Sequence, residues 1–181
     1  MPGDVDQTTM VYDDYGRHKV SMSDPDKGDW AYRYNGLGDL LCQIDGNGDA
    51  MRQEYDALGR MVKRIDYRAI DFNAADCSGP PTAPRSTWTY ENDADENGYG
   101  QLLERRQQGF DQDVDGTVSS HVEAFEYDTY GRVTTISTTI DGATYTRRTT
   151  YDEVGRVFQQ FDAHLHTDSP LGRRYHYNAR G

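Results

Sequence analysis

The chain has 181 residues and a formal net charge of −12 at pH 7, which disfavours binding to nucleic-acid phosphates or to anionic membranes. No apolar run approaches the roughly 18 residues that a membrane-spanning helix needs, and residues 1–6 lack the basic and apolar regions of a secretory signal peptide. Leu, Ile, Val and Phe make up only about 15% of the residues, as in disordered chains, but 14 tyrosines and 2 tryptophans indicate a folded protein.

A motif of the form Tyr-Asp-x-x-Gly-Arg returns along the whole chain. Clear copies begin at Tyr12, Tyr55, Tyr127 and Tyr151. Weaker copies begin at Tyr34, at Tyr177, where the chain stops at the glycine, and at Tyr90, where six extra residues delay the glycine to Gly100. Similar units that recur along a chain indicate a repeat protein, and this chain has about seven of them.

The Asp-x-x-Gly part of the motif predicts a tight turn. Asp is preferred at the first position of a type I turn, and Gly at the last. The glycine also supplies the left-handed conformation that closes a hairpin with a bulge. We therefore expect the Arg after the glycine to lie near the Asp across the hairpin. The predicted turns are 13–16, 35–38, 56–59, 128–131 and 152–155.

The residues around each turn predict strands. An aromatic residue often stands two positions before the repeat tyrosine, which places both rings on one face of a strand. Examples are Tyr32, Trp88, Phe125 and Tyr175. Second turns follow at 24–28 and 45–48. No stretch has a helical apolar period, so the sequence predicts an all-β fold of antiparallel β-hairpin repeats.

The repeats divide the chain into three predicted regions. Residues 1–69 carry the units at Tyr12, Tyr34 and Tyr55, and residues 87–181 carry those at Tyr90, Tyr127, Tyr151 and Tyr177. Between them, residues 70–86 contain three prolines and are predicted to be a loop insertion. The two cysteines, Cys42 and Cys77, could form one disulfide, but two free thiols are the expectation.

The recurring pattern aromatic-x-Tyr-Asp-x-x-Gly-Arg, clearest at 29–35 and 54–60, resembles the YD repeat of RHS proteins. The same repeat occurs in the C components of insecticidal Tc toxin complexes and in teneurins. The resemblance implies a curved sheet strip, a segment of a β-shell that encloses a C-terminal toxin or effector in bacterial members. This chain has too few repeats to close a shell, and it lacks the core segment with an aspartyl self-cleavage site.

The resemblance implies a non-enzymatic structural module of a secreted or surface polymorphic toxin. Its partners would be adjacent repeats and the toxin or effector cargo of the parent protein. An alternative is a carbohydrate-binding module at the cell surface that uses exposed aromatics. The exposure of Tyr32, Tyr34, Trp88 and Tyr90 should distinguish the two. No set of residues suited to nucleophilic catalysis stands out, so an enzyme is not expected.

One segment matches a complete calcium-loop pattern. Asp93, Asp95, Asn97 and Glu104 occupy ligand positions of the form D-x-[DN]-x-[DN]-G-x₅-E, and hard oxygen ligands of this kind suit Ca²⁺. The flanking segments are predicted strands instead of helices, so a solvated acidic turn is the competing interpretation. A second acidic run at 111–116 and the pair His164 and His166 are incomplete ligand sets. No other cofactor is predicted.

Overall fold

The computed structural model describes residues 7–80, 85–112, 118–163 and 171–178. It divides the chain into two compact units, Met1–Arg85 and Ser86–Gly181. The only helical element in these ranges is a 3-10 turn at Ala69–Asp71. No helix there has the length and apolar composition needed to cross a membrane.

The first unit contains six strands, and each pairs antiparallel with the next along the chain. They are β1 Thr9–Tyr12, β2 Lys19–Asp24, β3 Gly28–Tyr34, β4 Leu40–Ile44, β5 Ala50–Tyr55 and β6 Met61–Tyr67. The odd-numbered strands end at the repeat tyrosines, and we call them tyrosine strands. The strand after each Tyr-Asp turn is its return strand.

The second unit has the same order of consecutive antiparallel pairs. Its strands are β7 Ser86–Tyr90, β8 Leu102–Gln112, β9 Val118–Tyr127, β10 Val133–Ile140, β11 Ala143–Tyr151, β12 Val157–Ala163 and β13 Leu171–Arg174. The predicted all-β fold of antiparallel hairpin repeats is confirmed.

The Tyr-Asp turns have the predicted geometry. At Asp56, Gly59 N donates to Asp56 O over 3.0 Å, and Asp56 N donates to Arg60 O over 2.9 Å. The same two bonds recur in the turns that begin at Asn35, Asp128 and Asp152. Gly59 has a φ of +76°, and the strand register shifts at the repeat tyrosine, as a bulge requires. The first turn is one residue longer, because Asp13 N donates to His18 O.

Two of the turns that join neighbouring repeats pack against each other. In the turn 45–48, Gly48 N donates to Asp45 O over 2.9 Å. A Cβ on Gly46 would overlap the carbonyl oxygen of Lys27, in the turn 24–28. Glycine is therefore required at position 46 by close approach of two main chains, although its φ is not in the left-handed region.

The buried core of the first unit lies on one face of β4 to β6. Its members are Cys42, Ile44, Ala50, Ile65, Tyr67 and Cys77. Apart from Cys77, they alternate along their strands and are joined across the sheet by pairs such as Ile44 with Ala50 and Ala50 with Tyr67. Alternation places them on the same face. Apolar burial in this unit is thus concentrated on a small area.

A disulfide closes this core, so the expectation of two free thiols was wrong. Cys77 bonds to Cys42 with a Cα–Cα distance of 5.9 Å, across 35 residues of sequence. The sequence could not reveal this pairing, because the two residues meet only when the segment after β6 folds back over β4.

The fold-back segment, residues 68–79, covers the core face. Ala69 N donates to Asp49 Oδ1 over 2.9 Å, and the ring of Phe72 lies 5.1 Å from that of Tyr67. Asn73 and Ser78 form a short bridge that presents Cys77, whose φ is +57°. The first part of the predicted insertion therefore serves as the cover of the core.

Candidate functional site

The aspartate that begins each Tyr-Asp turn binds two parts of its own hairpin. Asp56 Oδ1 accepts hydrogen bonds from Leu58 N at 2.9 Å and from Arg60 N at 3.0 Å. Asp56 Oδ2 accepts from Arg60 Nε at 2.7 Å. The turns at Asp128 and Asp152 repeat this arrangement. The predicted Asp–Arg proximity is confirmed as an ion pair in all three turns. At Asp56 and Asp128, the Nε and Nη2 atoms of the arginine both contact the same carboxylate oxygen, Oδ2.

The repeat tyrosine links its strand to the preceding hairpin. Tyr55 donates its hydroxyl hydrogen to Leu40 O over 3.0 Å, and Leu40 is the second residue after the turn glycine Gly38. Five tyrosines make this bond to the start of the preceding return strand, and the acceptor stands two or three residues after the turn glycine. The pairs are Tyr34 with Lys19, Tyr55 with Leu40, Tyr127 with Leu102, Tyr151 with Val133 and Tyr177 with Val157.

The arginine after the glycine also contacts the next repeat. Arg132 Cζ lies 4.4 Å from the ring centroid of Tyr151, and Arg156 Cζ lies 4.3 Å from that of Tyr177. A guanidinium over an aromatic face is an attractive contact. We call the combination of turn Asp, following Arg, next repeat tyrosine and accepting carbonyl the repeat junction. It joins the turn of one repeat to the tyrosine strand of the next.

The first junction uses histidine in place of arginine. His18 Nδ1 lies 3.0 Å from Asp13 Oδ2, and the His18 ring centroid lies 4.6 Å from that of Tyr34. Arg17, the arginine of the motif, instead lies over Tyr15, with 4.8 Å between its Cζ and the ring centroid. The one-residue extension of this turn moves His18 into the position that Arg132 holds in its own hairpin.

The long loop of the Tyr90 repeat keeps the same closure. Glu91 N donates to Gln101 O over 2.9 Å, and Gly100 N donates to Glu91 O over 2.8 Å. Gln101, at the position of the arginine, donates Nε2 to Gly131 O over 2.7 Å. The six inserted residues therefore leave the hairpin ends in place, and the side chain after the glycine again reaches the next repeat.

The junction residues should set the pH range of stability. The Arg132 side chain, with N–H donors of Arg132 and Tyr130, holds the pKa of Asp128 below its ordinary value of 3.8, and burial raises the pKa of Tyr127 above 10.0. A lowered carboxyl pKa gives stability that is present above about pH 4 and is lost as pH falls through the folded pKa. A raised phenol pKa gives stability that is present below about pH 10 and is lost as pH rises through the folded pKa.

We therefore expect the free energy of unfolding to be flat between about pH 5 and 9 and to fall on both sides. Urea unfolding across pH 2–11 measures it. Asp128→Asn should reduce the slope of the acid limb and leave the alkaline limb unchanged, and Tyr127→Phe should do the reverse. An acid limb that keeps its full slope in Asp128→Asn would show that the turn carboxylate is not ion-paired in solution.

The calcium-pattern residues lie between β7 and β8. Asp93, Asp95 and Asn97 are in the loop, where Asp93 Oδ1 accepts from Asp95 N over 3.0 Å. Glu104 is in β8, with its Oε1 3.2 Å from Arg106. Among the described residues, no three His, Cys, Asp or Glu side chains are placed together for a metal. The four residues are therefore not preassembled, and calcium binding stays a prediction. Most of the acidic run at 111–116, with His164 and His166, lies outside the described residues.

The aromatic residues chosen to distinguish the two functions are half-buried. Tyr32, Tyr34, Trp88 and Tyr90 are neither fully buried nor exposed. Trp30 and Tyr32 lie parallel, 6.4 Å apart between ring centroids, and Lys19 Nζ is 4.4 Å from the Tyr32 centroid. These rings do not form an exposed row, so this geometry does not favour saccharide stacking.

Sequence reasoning missed two elements of the junction. It did not identify the tyrosine hydroxyl as the donor between repeats, nor His18 as a substitute for arginine. An apolar residue stands at four of the five acceptor positions, as Val133 and Val157 do, but Lys19 stands at the first. The bond itself uses a main-chain oxygen that no side-chain pattern marks.

No protein-family model and no curated protein matches the sequence. Several solved structures are similar to it. For a crystal structure of TcdB2-TccC3-TEV, the TM-score is 0.48 at 13% identity, covering 96% of this chain and 10% of that one. For a Photorhabdus luminescens Tc holotoxin pore, the TM-score is 0.36 at 13% identity, covering 94% of this chain and 12% of that one. For a crystal structure of TcdB2-TccC3, the TM-score is 0.43 at 10% identity, covering 87% of this chain and 9% of that one. The chain thus spans about a tenth of each of these chains.

Proposed function

We propose that this chain is a non-enzymatic structural module, a segment of a repeat shell that encloses a toxin or effector of its parent protein. The observation that carries the proposal is the tyrosine hydrogen bond of the repeat junction, which recurs at Tyr34, Tyr55, Tyr127, Tyr151 and Tyr177. The motif aspartate closes its own turn, and the motif tyrosine, joined by Arg132 and Arg156 in two repeats, contacts the neighbouring hairpin. A protein built in this way extends by adding units.

The shortage of core supports a role that depends on neighbours. Only six apolar residues are buried among the described residues, and all belong to the cluster around Cys42 and Cys77. A two-stranded hairpin alone is marginally stable in water, so each repeat relies on the repeats beside it. The adjacent repeats of the parent protein are therefore the first partners, and an enclosed toxin or effector is the second.

The disulfide supports an extracellular location. Disulfides persist in oxidising environments and are rare in the cytosol of most organisms. Cys42 is fully buried and Cys77 nearly so, which protects the bond from thiols. We therefore propose that the module acts in a secreted or surface protein.

The proposal is tested on the native polypeptide that contains this chain, purified from its source and treated with protease under folding conditions. We expect a much larger polypeptide with further Tyr-Asp repeats and a cargo region that resists cleavage until the repeats are opened with denaturant. A cargo region cleaved as fast in the folded protein as in denaturant would contradict enclosure. A native polypeptide of 181 residues would contradict the shell.

Calcium binding at Asp93, Asp95, Asn97 and Glu104 is a separate proposal, which rests on their ligand pattern and on an acidic loop exposed to solvent. Binding would require the loop to close on Glu104 and Glu104 to release Arg106. We expect weak binding, with a dissociation constant on the order of 10⁻⁴–10⁻³ M, as in extracellular modules. Calorimetry measures it. Asp95→Ala should abolish the heat, and Asp26→Ala, in another turn, should not. No heat at 10⁻² M calcium would overturn the proposal.

A further inference from the structure

Each of the five predicted Tyr-Asp turns carries one large apolar residue directly before its glycine, and we call it the tip residue. The tip residues are 73–85% accessible and are the most exposed large apolar residues of the described chain. They are Tyr15, Leu37, Leu58, Tyr130 and Val154. Apolar residues exposed singly are common, but one that recurs at the same repeat position indicates an interaction surface.

The turns themselves do not explain an apolar residue at this position. Leu37 and Leu58 hold their turns through the main chain, because their N–H groups donate to Asn35 Oδ1 and Asp56 Oδ1 over 2.9 Å. Any residue except proline supplies this donor. Turns also favour small or polar residues such as Asn, Asp, Ser and Gly. The exposed side chains therefore point to a contact outside the hairpin.

The tip residues of the first unit form a row. Tyr15, Leu37 and Leu58 lie in the turns from β1 to β2, β3 to β4 and β5 to β6, all at the same end of consecutively paired strands. Neighbouring turns are two strands apart, which is about 10 Å. An open cavity of about 440 Å³ lies between the first two turns, and Tyr15, Tyr34 and Leu37 line it. We call these three tip residues the tip row.

We propose that the tip row is a docking site for an amphipathic helix of a partner protein, with an apolar residue at every seventh position and a basic polar face. Seven helical residues rise about 10.5 Å and return to nearly the same face, which matches the spacing of the tips. An extended strand covers about 10 Å in three residues, but residues three apart lie on opposite faces. Docking of a helix here does not require the chain to be part of a shell.

Charge favours a basic partner. With His18 taken as neutral, the turns at 13–18, 35–39 and 56–60 carry four acidic side chains against two arginines. The acidic residues are Asp13, Asp14, Asp39 and Asp56, and the arginines are Arg17 and Arg60. The chain as a whole has a net charge of −12. A second copy has a row of the same spacing, but it carries the same excess of negative charge and is repelled.

The test uses the full chain and two synthetic helical peptides of three heptads. The first has leucine at every seventh position, alanine beside it and lysine on the opposite face. The second has the same composition, with its leucines five residues apart and so distributed around the helix. Calorimetry at physiological salt measures binding to the natural chain, to the double variant Leu37→Ser with Leu58→Ser, and to Ala57→Ser. Ala57 is an exposed neighbour of Leu58 in the same turn, so its variant is the matched control.

We expect the heptad peptide to bind at least tenfold more tightly than the second peptide, because its leucines can all meet the row. The double variant should lose at least tenfold in affinity for the heptad peptide, since two apolar side chains that the peptide covers are removed. Ala57→Ser should bind as the natural chain does. All three proteins should melt at the same temperature, because the substituted side chains are exposed.

Equal binding of the two peptides, undiminished binding by the double variant, or no binding at millimolar peptide would overturn the helix site. A lower melting temperature of the double variant would show that the tip residues stabilise their own hairpins, which would remove the reason for a partner. Self-association of the natural chain that is lost in the double variant would make a second copy the occupant and the helix assignment wrong. The repeat junction is unchanged in these variants, so the proposed structural function is tested separately.

Discussion

Reduction of the Cys42–Cys77 disulfide is expected to lower the free energy of unfolding of the first unit by about 3–4 kcal/mol. The bond closes a loop with a sequence separation of 35 residues, and the entropy of closing a loop of this length is on the order of 4 kcal/mol. The effect should be near this value because the loop contributes few other contacts that could hold Cys77 in place. Its described anchors include the hydrogen bond from Ala69 N and the ion pair from Arg68 to Asp49, and the Tyr67–Phe72 ring contact.

The measurement is urea unfolding with and without reductant, together with hydrogen exchange of residues 68–79. Reduction should open this segment first, because it is the cover of the core and not part of the sheet ladder. The double variant Cys42→Ala with Cys77→Ala is the control, since its unfolding should not respond to reductant. An unfolding midpoint unchanged by reduction of the natural chain would show that the cover is held by its other contacts.

Gly46→Ala is expected to destabilise the first unit by about 2–3 kcal/mol, the upper range for overpacking. The added methyl would overlap the Lys27 carbonyl oxygen and stand 2.9 Å from Gly28 Cα. Both neighbours are main-chain atoms in a turn, so no side-chain rotation can relieve the overlap. The two linking turns must separate, which would strain β3 and β4.

The matched control is Gly36→Ala. Gly36 holds the same position in its turn as Gly46, but a Cβ there would meet nothing within 4 Å. That substitution should be neutral or stabilise by about 0.4–1 kcal/mol, because alanine restricts the unfolded chain. Thermal unfolding of the two variants compares them directly. Equal shifts would mean that the approach of the two turns is absent in solution.

Much of the fold could be predicted because its determinants are local. The turn at Asp56 needs only an Asp, a glycine able to adopt positive φ and an arginine within five residues, and all three stand in the sequence. The strands follow because each turn fixes its own register. The six-residue insertion in the Tyr90 repeat could also be recognised in the sequence, because Glu91 and Gly100 keep the two ends of the turn.

The parts that could not be predicted depend on non-local contacts or on main-chain acceptors. Cys77 reaches Cys42 only through the path of residues 68–79, which has no repeat to guide it. The hydrogen bond from Tyr55 to Leu40 O joins two neighbouring strands, β4 and β5, and it uses a main-chain oxygen, which every residue has. His18 takes the place of arginine because one extra residue lengthens its turn. The presence of a histidine in the sequence does not by itself predict this role.

The calcium pattern is a case in which a complete sequence match is not preassembled by the backbone of the described residues. The ligand spacing of an EF-hand presumes that a helix follows the loop. Here Glu104 lies in β8, opposite Thr89 in the sheet register, so strand geometry directs it differently. Calcium binding therefore depends on a rearrangement of the loop and stays a prediction.

The coupling of one hairpin to the next through the repeat junction can be measured by a double-mutant cycle on Arg132 and Tyr151. The two residues belong to successive repeats, and 4.4 Å separates Arg132 Cζ from the Tyr151 ring centroid. The cycle compares the free energies of unfolding of Arg132→Met, Tyr151→Leu and the double variant with that of the natural chain. We expect a favourable coupling of about 0.5–1 kcal/mol. Additive effects, with no coupling beyond experimental error, would show that the junction does not couple successive hairpins.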